Sequence, residues 1–113
     1  MPSSPQPRST PIPVRRALRT FGDSVRTWRK LRGLTAEQVA DRAGITRDTL
    51  RKLEQGTGGI SLEKTLLVAR SLGVMDLVVD AIDPYASDVG RLRSEEQLPE
   101  RVRRAGSNGP LDV

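Results

Sequence analysis

The 113-residue sequence predicts an all-α fold: a compact five-helix domain over residues 17–83, between a flexible basic arm (1–16) and a partly disordered C-terminal tail (84–113). Three observations carry this prediction. Apolar residues recur at spacings of three and four through the central part of the chain. A glycine, able to take the left-handed conformation that ends a helix, closes each of the first four runs. Thr or Ser stands in N-cap position ahead of three of them. A core of about sixty residues is marginal by itself, burying only about 60% of its unfolded surface, so dimerisation or a partner is expected to help.

The elements follow in order. The opening MPSSPQPRSTPIP is read as a mobile arm, because its Pro and Ser content neither nucleates a helix nor buries a core. From Thr20 the period becomes helical. Phe21, Val25, Trp28 and Leu31 fall on one face, which gives a helix over 20–32 stopped by Gly33. Sharing that face, Trp28 is assigned to core packing and not to base stacking. With three aromatic residues in all, a single-strand platform of stacked bases has little support. Thr35-Ala36-Glu37-Gln38 forms a capping box, opening a helix of about two turns that faces inward with Val39, Ala40 and Ala43 and ends at Gly44. Thr46 caps a third helix over 47–55, with Leu50 and Leu53 inward and Gly56 as its stop. Since only Gly44 and Ile45 separate Thr46 from the preceding helix, the two short helices must cross steeply, as in a helix-turn-helix unit. Ser61 caps a fourth helix over 62–72, with Leu62, Leu66, Ala69 and Leu72 as its stripe and Gly73 closing it. A fifth helix over 74–82 carries Leu77, Val78 and Ile82 until Asp83-Pro84 breaks it. Beyond that point, Ser94-Glu95-Glu96-Gln97 caps one short turn, and residues 106–113 read as disordered.

Composition narrows the functions. Cys and His are both absent, which removes thiolate and imidazole metal sites, the cysteine nucleophile and the commonest general base. No nucleophile elbow or phosphate-cradling glycine loop occurs, so no catalytic residues, metal or cofactor are expected and the chain reads as a non-enzyme. The apolar run at 74–82 is broken by Asp76 and Asp80 and is too short to cross a bilayer. The N-terminus lacks the apolar segment of a secretory signal, so a cytoplasmic location is expected. The net charge of +5 is unevenly spread. Residues 1–19 hold four arginines (Arg8, Arg15, Arg16, Arg19) and no acid, whereas residues 71–90 hold four aspartates and no base. A basic front suits a polyanion; the acidic segment should face elsewhere.

The stretch GLTAEQVADRAGITRDTLRKLEQG (33–56), with Phe21-Gly22 and Val25 to Arg29 upstream and Ser61-Leu62 to Leu72-Gly73-Val74 downstream, resembles the XRE family of helix-turn-helix proteins, which includes the lambda-type repressors. The resemblance covers about half the chain. It implies a lambda repressor-like domain whose third helix enters the major groove of double-stranded DNA. Matched position by position, it implies that Arg47, Asp48 and Lys52 meet bases while Thr46 and Thr49 lie near phosphates; Arg51 shares the outward face. An Arg can pair twice with guanine and an Asp can accept from cytosine N4, each worth about 1–3 kcal/mol of discrimination. Asp48 has the alternative of holding Arg47 or Arg51 in place. Many family members carry Gln at the position of Ala36, where it contacts phosphate and braces the third helix; here the backbone amide is left for phosphate and the brace is missing. Arg29 and Glu54 match a family ion pair beneath the recognition helix, which would orient that helix more than stabilise the fold. Arg15, Arg16 and Arg19 are expected to act as a DNA arm, on phosphate or in an adjacent minor groove.

One short recognition helix reads only a few base pairs, so a homodimer on paired half-sites is expected, with Leu77, Val78, Val79 and Ile82 as candidate interface residues. The resulting reading is a transcriptional repressor or autoregulator. The segment GVMDLVVDAIDPYASDVGRLRSEEQLPERVRR is also similar, more loosely, to tails of HipB-like antitoxins, which implies a kinase-type toxin partner. A module that binds only protein is the third alternative.

Overall fold

The computed structural model describes residues 9–97. Among them are six α-helices and no strand: α1 (Ile12–Leu31), α2 (Ala36–Ala43), α3 (Arg47–Gln55), α4 (Leu62–Ser71), α5 (Met75–Asp80) and α6 (Asp88–Gln97), with a single 3-10 turn at Pro84–Ala86. Of the arm expected at 1–16 and the tail expected at 84–113, residues 1–8 and 98–113 lie outside the described residues. The chain divides into two units between Asp76 and Leu77, within α5 and ahead of the boundary expected at residue 83.

In the first unit the local signals and the helices coincide. The Thr35 hydroxyl accepts from the Gln38 amide at 3.1 Å while the Gln38 side chain accepts from the Thr35 amide at 2.9 Å. The Thr46 and Ser61 hydroxyls cap α3 and α4 by accepting from the Thr49 and Lys64 amides, without the reciprocal bond. Gly44 ends α2 at φ 72°, a left-handed conformation in which the amides of Gly44 and Ile45 still reach carbonyls of α2. α1 packs on α3, and α2 packs on both α3 and α4. Val25, Val39, Ala40, Ala43, Leu50, Leu53, Val68, Ala69, Leu72 and Val74 make the core, and no polar or charged residue is buried among the described residues. Full burial of Leu50, at the centre of α3, contributes about 1.5–3 kcal/mol.

Several expectations need correction. α1 begins at Ile12, eight residues before the expected start, because Pro11 is its N-cap and Pro13 lies in its first turn. First-turn N–H groups have no intrahelical partner, so proline there costs no hydrogen bond and its fixed φ suits the helix. Residues 12–16 are therefore helix and not arm. Within α1, Gly22 and Val25 are buried, Phe21 and Trp28 are half-buried, and Leu31 is exposed. The inward line of α4 is Val68, Ala69 and Leu72; Leu62, at the helix's first position, is exposed, because the row it starts with Leu66 lies roughly a quarter turn from that line.

In the second unit α5 stops at Asp80, and Ile82 is exposed. The Asp83 carboxylate caps the 3-10 turn by accepting from the Tyr85 amide at 2.9 Å. α6 replaces the single turn expected at 94–97. Its cap is Ser87, whose hydroxyl accepts from the Gly90 amide at 2.9 Å, so the helix starts a full two turns earlier.

Candidate nucleic-acid interface

α3 packs against α1 and α2 and leaves one face outward. Leu50 and Leu53 point into the core, which puts Arg47, Asp48, Arg51 and Lys52 in solvent and Thr49 at the edge. At the head of the helix the Thr46 hydroxyl accepts from the Thr49 amide at 3.0 Å and donates to the Thr49 hydroxyl at 2.9 Å. That cap holds the first turn of α3 rigid where it meets solvent.

The charges on this face are organised. The Asp48 carboxylate accepts from the Arg51 guanidinium through one oxygen and pairs with Lys52 Nζ at 3.2 Å through the other. The Arg51 hydrogen bond first, and the Lys52 one second, hold the Asp48 carboxyl below the usual carboxylate range. Arg51 also donates to the Gln55 side chain at 3.3 Å. Arg47, on the first turn, makes no hydrogen bond or ion pair among the described residues. Ala36, the first residue of α2, joins Arg47, Asp48, Leu50, Arg51 and Glu54 in lining one open concavity. The start of α2 and the outer face of α3 therefore share a surface.

Behind it, Arg29 donates from Nε to Glu54 Oε2 at 2.8 Å and from Nη2 to Oε1 at 3.0 Å, and its Nη1 reaches the Leu34 carbonyl at 3.3 Å. The fork ties α1, the α1–α2 turn and the last turn of α3 together. The side chains are only 14% and 11% exposed, so the attraction is weakly screened. Its hydrogen bond to Glu54 raises the Arg29 pKa against the opposing effect of burial. The guanidinium stays charged at any ordinary pH.

Arg15, Arg16 and Arg19 are exposed on α1 and do not line the concavity. Two residues with positioning roles were not assigned them from sequence. A Cβ at Gly22 would stand 2.5 Å from the carbonyl oxygens of both Leu53 and Glu54, so glycine is what lets α1 lie against the end of α3. The usable signal was an isolated glycine inside a helical pattern. Arg32 donates from Nε to the Leu72 carbonyl at 2.9 Å while its guanidinium lies 5.2 Å from the Trp28 ring centre, joining the ends of α1 and α4. No local pattern marks a contact forty residues distant. Among the described residues no group of acidic side chains could hold a metal, and no helix is long and apolar enough to cross a membrane.

The helix-turn-helix family model matches residues 25–75, from the middle of α1 to the start of α5. Over 49 residues the chain is 45% identical to an uncharacterized HTH-type transcriptional regulator of Methanothermobacter thermautotrophicus, an alignment covering 43% of this chain and 71% of that protein. No solved structure matches. The chain belongs to the helix-turn-helix family.

Proposed function

We propose that this protein is a sequence-specific regulator of transcription, a repressor or autoregulator, that reads duplex DNA with the outward face of α3. The observation that carries the reading is Arg47: an unpaired, exposed guanidinium on the first turn of a rigidly capped helix, beside the start of α2. In this reading Arg47 and Lys52 meet base edges, Thr46 and Thr49 approach phosphates, and the Ala36 amide donates to phosphate at the start of α2. Asp48 holds Arg51 and Lys52 in the free protein and exchanges one of them for a base donor on binding. The Arg29–Glu54 fork keeps α3 at its angle. The helix-turn-helix match and the regulator relative support DNA binding and transcriptional control.

Two copies on half-sites about one turn (about 34 Å) apart would supply the specificity that one short helix lacks. Exposed Leu77, Val79 and Ile82 support such a pairing. No feature among the described residues favours a kinase-type toxin partner over a second copy.

The test is selection from a random duplex pool at fixed salt. The wild-type chain should enrich one motif, and Arg47→Ala/Lys52→Ala should retain DNA without enriching it. No enrichment by the wild type, or the same motif with the double variant, overturns the proposal.

A further inference from the structure

α1, whose second half lies inside the matched region, carries four of its cations in one row. Arg15, Arg19, Arg26 and Lys30 are spaced by four, seven and four residues, which sets them within about 60° of one another around α1. All four are exposed, and none makes a hydrogen bond or ion pair among the described residues. Arg16 borders them, and so does Asp23, the helix's only acid, which pairs with none of them.

This row lies beside the seam with α3. The backbone of Arg19 is pressed on Gly56, the residue that ends α3: a Cβ there would stand 2.7 Å from the Arg19 Cα and N. The Leu18 side chain comes within 3.5 Å of the Cβ position at Gly58. The cations therefore belong to the same rigid unit as the recognition helix.

The row is also costly to the helix that carries it. The first turn of α1 holds no acid, so Arg15 and Arg16 sit close to the positive end of the helix dipole, and Arg15 opposes Arg19 at i,i+4. No ion pair among the described residues offsets that repulsion; a polyanion would. From residue 15 to 30 the row runs about 22 Å. That is about six base-pair steps of 3.4 Å along one strand.

We infer that this flank of α1 is a second DNA surface, which binds backbone phosphates flanking the bases read by α3. It rests on the proposed function and deepens it: the basic segment acts as a rigid helical rail continuous with the recognition domain, and it includes Arg26 and Lys30 as well as Arg15 and Arg19. The bound chemistry is phosphate, so this surface adds affinity without reading sequence.

The experiment measures binding of the full chain to a mixed-sequence 30-bp duplex across a salt series, alongside selection from the random pool. Arg15→Gln/Arg19→Gln/Arg26→Gln should lower the slope of log K against log salt by about 0.9 per lost phosphate contact, two to three in all. It should enrich the wild-type motif, because α3 is intact. Arg15→Lys/Arg19→Lys/Arg26→Lys should keep the wild-type slope. Thermal melting checks that the Gln variant folds, as Gln and Arg have nearly equal helix propensity. An unchanged slope in the folded Gln variant overturns the inference and leaves the α3 reading standing. A change in oligomeric state with an unchanged slope overturns it in favour of a contact between copies. Loss of motif enrichment by Arg47→Ala alone shows that the α3 reading is sound whichever way the slope falls.

Discussion

The two units use the same helical alphabet with opposite results. In α2 and α3 Val39, Ala40, Ala43, Leu50 and Leu53 are buried, the ends are capped, and Arg47, Asp48, Arg51 and Lys52 of α3 stay in solvent. In α5 and α6 no residue is buried, and Leu77, Val79, Val89 and Leu92 remain exposed although both helices are formed. Capping and periodicity make a helix in either place; only burial against a neighbour turns a helix into a platform that can hold a side chain still for recognition.

The sharpest way to break this contrast is to remove one leucine from each region. Leu50→Ala should cost about 2–5 kcal/mol in denaturant unfolding, because a fully buried side chain leaves a cavity. Leu92→Ala, at an exposed position, should stay within about 0.5 kcal/mol. Equal losses would erase the distinction between the regions. Next in size is Gly22→Ala, which should lower stability by about 3 kcal/mol in the same assay, the upper end for overpacking, since the atoms met are backbone carbonyls that cannot swing aside. A melting point equal to the wild type would mean that α1 and α3 can separate freely.

Glu54→Ala should cost about 2 kcal/mol, below the range for fully buried pairs, because it strands a mostly buried Arg29. DNA affinity should fall with it. Unchanged melting together with unchanged affinity would remove the fork from the account of how α3 is held. The smallest effect concerns Asp48. Its carboxyl is held below the usual range by Arg51 and Lys52, so the contribution it makes is present above the ordinary carboxylate pKa and is lost as pH falls through the lowered value. Asp48→Asn should flatten that acid limb of the melting curve slightly while raising affinity for mixed-sequence DNA, as two cations are released for phosphate.

Much of the recognition unit was legible along the chain. Thr35, Gln38, Thr46 and Ser61 announce helix starts, Gly44 and Gly56 announce stops, and Leu50 and Leu53 fix which side of α3 is inward. The start of α1 was misread because Pro11 and Pro13 were taken as barriers, although both occupy positions that ask nothing of a proline nitrogen. α6 was shortened for a related reason: Ser87 sits ahead of a run with weak apolar periodicity, so its capping role shows only once the turn at Pro84 brings hydroxyl and amide together. Leu62 and Leu31 looked inward by spacing alone, yet both are exposed.

By itself the sequence determined where α2, α3 and α4 begin, the tight joint between α2 and α3, and which cations of α3 could face outward, because those depend on hydrogen bonds and sterics within about four residues. The family resemblance named the Arg29–Glu54 pair that the structure forms across 25 positions; tertiary structure alone decided that Arg32 reaches the Leu72 carbonyl across 40 and that Gly22 receives the end of α3. Such contacts depend on the angle and distance at which whole helices cross, and that geometry follows from the packing of all the apolar faces at once.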